Sequence, residues 1–369
     1  MGVEPILDPR NWPGATSPLW AGVLFVLGAM VGSFLNVCIH RLPLGQSIVS
    51  PPSHCPHCKY AIPWYLNIPL VTWLYLRGRC RNCGAPILAR YFLVELLTAG
   101  VFLAVWLRYG ERSVGVALVY CVFIAGLIVA AFIDLEHYII PDEITLGGAA
   151  VGLAASFGLP SLHGQTAIAH SLKESLLGLA VGAGTVYAIL RLGKLLFGRQ
   201  RLALQGATRV VFTETAVHVA DKVIPYEELF YRRSDVLTLR ARTVELVDRC
   251  YKDVTVRLGP EILQIGPDAL APEAVSHLEA VTEELVLPRE AMGLGDVKFM
   301  GAIGAFLGWK AVLFSLMASS VIGSVVGVGA ILLGRRAWSS RLPYGPYIAL
   351  AAVLWLFGGR EWVVAWLGF

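Results

Sequence analysis

The sequence predicts an all-α polytopic membrane protein with about eight transmembrane helices, a zinc-knuckle cytoplasmic loop and a small β-rich cytoplasmic insertion. Three observations lead to this fold class: the composition, the recurrence of long apolar runs, and two polar segments between them. The 369 residues are 56% hydrophobic and only 15% charged, and the mean hydropathy is +0.65. Soluble globular domains carry about 25% charged residues. The composition therefore argues against an ordinary soluble enzyme and indicates a chain that sits in a lipid bilayer.

Apolar runs recur along the chain, and several are long enough to cross about 30 Å of hydrocarbon, which takes about 20 helical residues. The four clearest candidates are 19–39, 114–133, 176–196 and 311–333. Four shorter or glycine-interrupted candidates lie at 91–106, 144–157, 297–307 and 346–366. Together they predict eight spans.

The distribution of basic residues predicts the orientation. Residues 41–90 contain six Lys or Arg and no Asp or Glu, so the positive-inside rule makes this loop cytoplasmic. Alternation of the spans from there puts Asp134 and the Arg335-Arg336 pair on the cytoplasmic side as well.

These features divide the chain into five parts. They are a first segment and transmembrane helix at 1–39, a zinc-binding loop at 40–90, helices 2–5 at 91–197, an inserted soluble domain at 198–290, and helices 6–8 at 291–369. In the insertion, polar and apolar residues alternate at 238–246 and 254–258, which is typical of half-buried strands. Residues 272–285 are interpreted as an amphipathic helix.

Four cysteines form two CxxC pairs, Cys55 with Cys58 and Cys80 with Cys83. Two such knuckles suit a tetrahedral structural zinc site with four thiolate ligands, because each tight turn offers two thiolates. In a reducing cytoplasmic loop a disulfide is disfavoured. The alternative of reduced or redox-active thiols stays open.

Two aspartates stand at the edges of predicted spans. Asp134 follows about twenty apolar residues, and Asp296 ends the tetrapeptide Gly-Leu-Gly-Asp that begins at Gly293. Charged residues at such positions indicate function, and two carboxyl groups sharing a site can act as general base and general acid. An aspartate at a helix boundary is also often a simple cap, which is how Asp142, after Pro141, is interpreted.

At this point the residues match a known family: the chain resembles the type IV prepilin peptidases, bifunctional leader peptidases and N-methyltransferases of the GxGD aspartyl protease class. Besides Asp134 and the two CxxC pairs, the matching segments are Gly-Ser-Phe-Leu-Asn-Val at 32–37, His-Arg-Leu-Pro at 40–43, Ile-Pro-Trp-Tyr-Leu-Asn-Ile-Pro at 62–69, Arg-Tyr-Phe-Leu-Val-Glu at 90–95, Ile-Pro-Asp at 140–142, Gly-Leu-Gly-Asp-Val-Lys at 293–298 and Pro-Tyr-Gly-Pro at 343–346.

The resemblance implies that Asp134 and Asp296 are the catalytic pair of an enzyme in the bacterial inner membrane, with its active site facing the cytoplasm. Its substrates would be prepilins or pseudopilins, cut after a Gly that ends a short basic leader. The new N-terminal residue would then be methylated from S-adenosylmethionine, in the region of the first cytoplasmic loop. The insertion at 198–290 departs from the family pattern, because it separates the two aspartates by more residues than is usual.

Five further residues are expected to support the substrate. Gly293 and Gly295 would let the backbone approach an extended substrate strand. Glu136 and Asp142 flank Asp134 and would meet the basic leader, and Lys298 completes the second motif.

Other functions compete with this interpretation. A presenilin-like or preflagellin peptidase shares GxGD but is not expected to carry the CxxC pair. A proton-coupled transporter could use the two aspartates as relay carboxylates, although relay residues normally lie deeper in the membrane. A peptidase without methyl transfer is the third alternative, since no glycine-rich nucleotide motif is visible. No nucleic-acid partner is predicted, and the sequence leaves the oligomeric state open.

Overall fold

The computed structural model describes residues 18–197, 199–213, 215–219, 222–230, 236–246, 248–272, 275, 277–288, 293–333, 342–359, 361–362 and 365. The predicted segment before residue 18 and the Arg335-Arg336 pair lie outside these ranges. The chain separates into two compact units, one formed by Met1–Tyr187 with Gly293–Phe369 and the other by Ala188–Met292.

The first unit is helical. Its helices are α1 (Pro18–Arg41), α2 (Val71–Tyr75), α3 (Ala89–Val105), α4 (Val114–His137), α5 (Asp142–Gly158), α6 (Ile168–Phe197, which runs on into the second unit), α8 (Leu294–Leu307), α9 (Trp309–Leu332) and α10 (Gly345–Leu354). Single 3₁₀ or π turns at Leu42–Leu44, Trp64–Leu66, Trp106–Gly110, Pro160–His163 and Trp355–Gly359 extend or connect them.

Within the described residues, five helices are long and apolar enough to cross a membrane: Pro18–Leu44, Ala89–Gly110, Val114–His137, Ile168–Gly193 and Trp309–Leu332. The count of about eight spans is not confirmed. The other three predicted spans correspond to α5, with 17 residues, to α8, with 14, and to the shorter apolar helix Gly345–Gly359 that α10 begins; part of the predicted span 346–366 lies outside the described residues. Each is shorter than the about 20 residues that a perpendicular crossing requires.

Small residues let several helices approach each other closely. A Cβ atom added to Gly28 of α1 would lie 2.8 Å from the Cα atom of Ala99, and one added to Gly32 would lie 2.7 Å from the Cα atom of Glu95 on α3. Where α6 meets α8, a Cβ atom on Gly178 would clash with the carbonyl oxygen of Gly304. Membrane helices pack through such small-residue stripes because lipid supplies no hydrophobic force between them.

In the part of the second unit that the structure describes, the chain forms an eight-stranded antiparallel sheet, which confirms the predicted β-rich segment. Its strands are β1 (Arg199–Phe212), β2 (Ala216–Val219), β3 (Lys222–Pro225), β4 (Leu237–Leu246), β5 (Cys250–Leu258), β6 (Leu263–Ile265), β7 (Asp268–Leu270) and β8 (Leu278–Pro288), with a single helical turn α7 (Tyr226–Leu229) after β3. The spatial order is β3-β2-β1-β8-β4-β5-β6-β7. Its core is apolar and includes the buried residues Val210, Leu239, Val256, Ile265 and Leu285.

The predicted amphipathic helix at 272–285 is wrong. Most of that segment belongs to β8, which pairs with β1 on one side and with β4 on the other. Its Glu and Leu residues favour a helix locally, but a central strand gains two ladders of backbone hydrogen bonds and buries Leu278, Ala280 and Leu285. Tertiary pairing therefore overrides the local preference.

The contact between α6 and α8 gives a prediction with a matched control. Gly178→Ala should separate the two helices and lower the thermal unfolding temperature of the purified protein, because the added methyl group has no space. Gly184, on the same helix, has nothing within 4 Å of an added Cβ atom. Gly184→Ala should therefore leave the unfolding temperature unchanged or raise it, since alanine favours helix by up to about 1 kcal/mol. Equal unfolding temperatures for the two variants would contradict this packing.

Candidate active site and cysteine cluster

Asp134 lies in the last turn of α4. The helix begins after Ser113, whose hydroxyl accepts a hydrogen bond from the Val116 N–H. It ends at Tyr138, whose φ is +57° and whose N–H donates to the Asp134 carbonyl at 3.0 Å. The Asp134 side chain is only 6% exposed. Its Oδ2 atom accepts a hydrogen bond of 2.8 Å from the backbone N–H of Gly345, so the carboxyl group is held at the start of α10.

Asp296 lies in the first turn of α8 and is only 9% exposed. Its Oδ2 atom accepts a hydrogen bond of 3.1 Å from the backbone N–H of Gly293, the residue that precedes the helix. The side chain therefore caps its own helix, as one interpretation of the sequence allowed, but it does so while buried. A carboxyl group used only as a cap is normally solvated.

The structure brings the two aspartates together. The charge of Asp134 acts on the Asp296 carboxyl group, although 161 residues of sequence, including the insertion, lie between them. Each has a single backbone hydrogen bond and little contact with solvent. Two carboxyl groups that share a site do not both ionise readily. Such a pair is suited to a reaction in which one group accepts a proton and the other donates one.

Ion pairs flank the two carboxyl groups. Lys298 on α8 donates from Nζ to Oδ1 of Asp142 on α5 at 2.6 Å, and Arg90 on α3 pairs with Glu136 on α4. The two acidic residues expected to meet a basic leader therefore have cationic partners in the chain itself. Asp142 is also not the helix cap that the sequence suggested: Pro141 occupies that position and Asp142 makes no capping hydrogen bond. Its carboxylate lies in the first turn, near the positive end of α5.

The space beside Gly295 is taken by the chain itself. A Cβ atom added there would lie 3.3 Å from the Cβ atom of Ile140, in the connection between α4 and α5. One added to Gly293 would lie 3.5 Å from Oδ2 of Asp296. Gly295 thus allows the two aspartate-bearing segments to approach each other, and its predicted contact with a substrate strand remains a prediction.

The four predicted cysteines form one cluster, with all ligand atoms within 4.8 Å of one another. The two knuckles have the same backbone. In the first knuckle the N–H of Lys59 donates to the carbonyl of Cys55 at 2.9 Å, and in the second the N–H of Gly84 donates to the carbonyl of Cys80 at 2.9 Å. Lys59 and Gly84 both have a positive φ. This repeat of one turn presents two pairs of sulfur atoms toward a common centre.

The sulfur spacing fits a metal. The Sγ atoms of Cys55 and Cys83, and those of Cys58 and Cys80, are 3.9 Å apart, and all four residues are free cysteines. A tetrahedral ion with metal–sulfur bonds of about 2.3 Å holds its sulfur ligands about 3.8 Å apart. The cluster therefore matches the donor set and the size of a closed four-thiolate site.

Glu95 ties the cysteine-rich loop to the helices. This carboxylate, 9% exposed, accepts a 2.7 Å hydrogen bond from the backbone N–H of Leu70. Leu70 has a φ of +63°, a conformation that is uncommon for a residue with a large side chain. At the other end of the loop, Arg41 donates to the carbonyls of Ser47 and Pro51 at 2.9 and 2.7 Å.

Sequence reasoning assigned no role to Gly345 or Glu95, although both lie in the segments that carried the family resemblance. The sequence did contain a sign of a role for Glu95. It is a lone carboxylate within an apolar helix, and such a residue is expected to have a specific partner. Nothing local to Gly345 indicated that its N–H would meet a side chain 211 positions away.

Comparison with known proteins identifies the family. Residues 26–109 match the Bacterial Peptidase A24 N-terminal domain, and residues 121–203 and 272–328 match the Type IV leader peptidase family. The prepilin leader peptidase/N-methyltransferase of Myxococcus xanthus is 43% identical over 325 residues, which cover 88% of this chain and 67% of that protein. The chain belongs to the type IV leader peptidase family.

Other leader peptidases of the family are also similar. The prepilin leader peptidase/N-methyltransferase of Aeromonas hydrophila is 29% identical over 370 residues, covering 91% of each chain. That of Dichelobacter nodosus is 37% identical over 210 residues, covering 48% of this chain and 69% of the relative. No solved structure matches the chain. The Type IV leader peptidase match stops at residue 203 and resumes at 272, so it skips most of the β-sheet insertion.

The Gly345 contact gives a prediction for this leader peptidase. A Cβ atom at position 345 would lie 2.8 Å from Oδ2 of Asp134, so Gly345→Ala should displace the carboxyl group and reduce leader-peptide cleavage while leaving every charge in place. Gly147→Ala on α5 is the control, because nothing lies within 4 Å of a Cβ atom there. Cleavage should be measured with equal amounts of each purified variant. Normal cleavage by Gly345→Ala would show that this hydrogen bond does not position Asp134.

Proposed function

We propose that this enzyme removes the basic leader peptide of prepilins or pseudopilins after a Gly, at the cytoplasmic face of the bacterial inner membrane, and then methylates the new N-terminal residue. The observation that carries the proposal is the pair of buried carboxyl groups, Asp134 and Asp296, brought together from the ends of two helices. The relatives named prepilin leader peptidase/N-methyltransferase support the substrate and the second activity.

Asp134 and Asp296 would share the chemistry of peptide hydrolysis. The carboxylate form of one removes a proton from a water molecule, and the resulting hydroxide attacks the scissile carbonyl carbon. The protonated form of the other gives its proton to the carbonyl oxygen as the tetrahedral intermediate forms. When the C–N bond breaks, a proton passes to the leaving amine. The basic loop at 41–90 supports the placement of this site on the cytoplasmic side.

The two ion pairs near the site suggest how the leader is received. Because Glu136 and Asp142 already have Arg90 and Lys298 as partners, a basic leader would compete with those cations. The Asp142 carboxylate is 57% exposed, so it remains accessible from solvent. Exposed pairs contribute only about 0–1 kcal/mol, so Glu136, Asp142 and Lys298 would tune substrate affinity without carrying the reaction.

The aspartate pair is tested by single substitutions. Asp134→Asn and Asp296→Asn should each reduce leader cleavage by at least about 100-fold, because removing one member of an acid–base pair disables the unit. Asp248→Asn, at an exposed position in the insertion, should cleave normally. Cleavage is followed by the mass of a synthetic prepilin peptide, at matched levels of folded enzyme in detergent. If either single variant kept substantial activity, the two-aspartate mechanism would be wrong.

We further propose that Cys55, Cys58, Cys80 and Cys83 hold one structural zinc ion. Their four thiolates would complete its coordination and leave no position for a substrate, so the ion would fold the loop and take no part in catalysis. S-adenosylmethionine would supply the methyl group. We assign no residues to its binding, since every strand pairing in the described part of the sheet is antiparallel, unlike the parallel sheet of a dinucleotide-binding fold.

Metal analysis tests the zinc site. The purified enzyme should contain about one equivalent of zinc, and Cys58→Ser should lower this content, whereas Cys250→Ser, at an exposed cysteine of the insertion, should not. Because metal binding and folding of such a loop are coupled, Cys58→Ser should impair methyl transfer before leader cleavage. Product masses after incubation with a prepilin peptide and S-adenosylmethionine separate the two activities. Absence of metal together with a disulfide in the loop would overturn both the zinc site and its cytoplasmic placement.

A further inference from the structure

A polar cavity lies at the end of the helical unit that faces away from the two aspartates. It has a volume of about 260 Å³, and its lining includes Arg112 before α4, Gly308 between α8 and α9, and the turn at Trp355–Gly359. Asp134 is in the last turn of α4 and Asp296 in the first turn of α8. The 24 residues of α4 span about 36 Å at 1.5 Å per residue. The cavity and the carboxyl pair are therefore at opposite ends of the unit.

Aromatic side chains line this cavity, as they do at the interfaces of membrane proteins. Trp309 and Trp355 contribute indole rings. Tyr109 donates from its hydroxyl to the carbonyl of Leu356 at 2.6 Å and stacks edge-on against Tyr120, with 4.8 Å between ring centroids. Trp and Tyr are enriched at the level of lipid headgroups, because their rings are apolar and their N–H or O–H groups are polar. The cavity thus has the surroundings of a headgroup site.

The charges that line the cavity are only partly neutralised. Arg108 pairs with Glu361, and burial lowers the pKa of His163 to about 4, so its ring is neutral near pH 7. Lys310 lies 5.8 Å above the ring centroid of Trp309. Two further charged residues, Arg112 and Glu174, also line the cavity. Among the residues that the structure describes, Lys310, Arg112 and Glu174 form no ion pair. The cavity therefore offers two cations and one carboxylate to a ligand.

We propose that this cavity binds the zwitterionic headgroup of a phosphatidylethanolamine-type phospholipid. The phosphodiester would pair with Arg112 and Lys310, and the ammonium group with Glu174. A volume of about 260 Å³ is below the range of about 300–1,000 Å³ that holds drug-sized ligands, and it suits a small polar headgroup whose acyl chains stay outside. A purely anionic headgroup would leave Glu174 without a partner, which favours the zwitterion.

Lipid binding to the full-length protein tests this site. The delipidated protein in detergent is titrated with phosphatidylethanolamine or with phosphatidylglycerol, and bound lipid is counted by native mass spectrometry. We expect about a fivefold preference for phosphatidylethanolamine, from one extra charge pair near the surface. Arg112→Gln with Lys310→Gln should weaken phosphatidylethanolamine binding about 30-fold. Glu174→Gln should abolish the preference without preventing binding.

Lys173→Gln serves as the matched control, because Lys173 is an exposed neighbour of Glu174 that does not line the cavity. Leader cleavage by every variant reports folding, since the aspartate pair is at the other end of the unit. Unchanged phosphatidylethanolamine binding in the double variant, or a preference for phosphatidylglycerol in the unsubstituted protein, would overturn the proposal. If millimolar inorganic phosphate displaced the lipid, the cavity would be a site for free phosphate and the proposal of a lipid ligand would be wrong. Lipid that stays bound in phosphate supports the proposal.

Discussion

Two buried carboxyl groups within electrostatic reach of each other are the constraint on which the helical unit depends. A charged group taken from water into a protein interior costs several kcal/mol unless hydrogen bonds or other charges compensate it. Here each aspartate has one backbone donor, and both donors stand at the start of a helix: Gly345 opens α10 and Gly293 precedes α8. The positive end of a helix favours a negative group. The two carboxyl groups are therefore each supported by a helix N-terminus, which requires α4, α8 and α10 to meet with little tolerance.

Small residues make that meeting possible. Gly345 leaves room for the Asp134 carboxyl group, Gly295 leaves room for Ile140, and Gly178 and Gly304 bring the backbones of α6 and α8 into contact. Around this centre, Lys298 with Asp142 links α8 to α5, and Arg90 with Glu136 links α3 to α4. Glu95 extends the same support to the cysteine-rich loop by holding Leu70. The site and the loop are thus parts of one connected set of contacts.

The sequence predicted what depends on residue type and local pattern. Apolar runs located the helices, alternation located strands β4 and β5, and the CxxC spacing located a cluster that the structure brings together. Long-range partners could not be predicted in this way: β8 became a central strand because β1 and β4 flank it, and Gly345 acquired a role through a residue on another helix. Glu136 and Asp142 were expected to meet a basic leader, and their pairing with Arg90 and Lys298 could not be predicted because nothing in the sequence indicates those distances. The number of membrane spans could not be predicted either. The segments of α5, α8 and α10 are apolar like the longer spans, but the helices they form are short.

The pairing of β1 with β8 bears on how the insertion is attached to the rest of the chain. Arg199, at the beginning of the first strand, lies opposite Pro288, at the end of the last, so the polypeptide enters and leaves the sheet at neighbouring points about 5 Å apart. A domain whose two ends are adjacent can be inserted into a loop or deleted from it, because the loop then only has to connect two neighbouring points. Such a module adds residues between the two aspartates in the sequence. It does not increase the distance that the helical part of the chain has to span. The number of residues between the two aspartates therefore does not set the distance that the helical unit has to bridge.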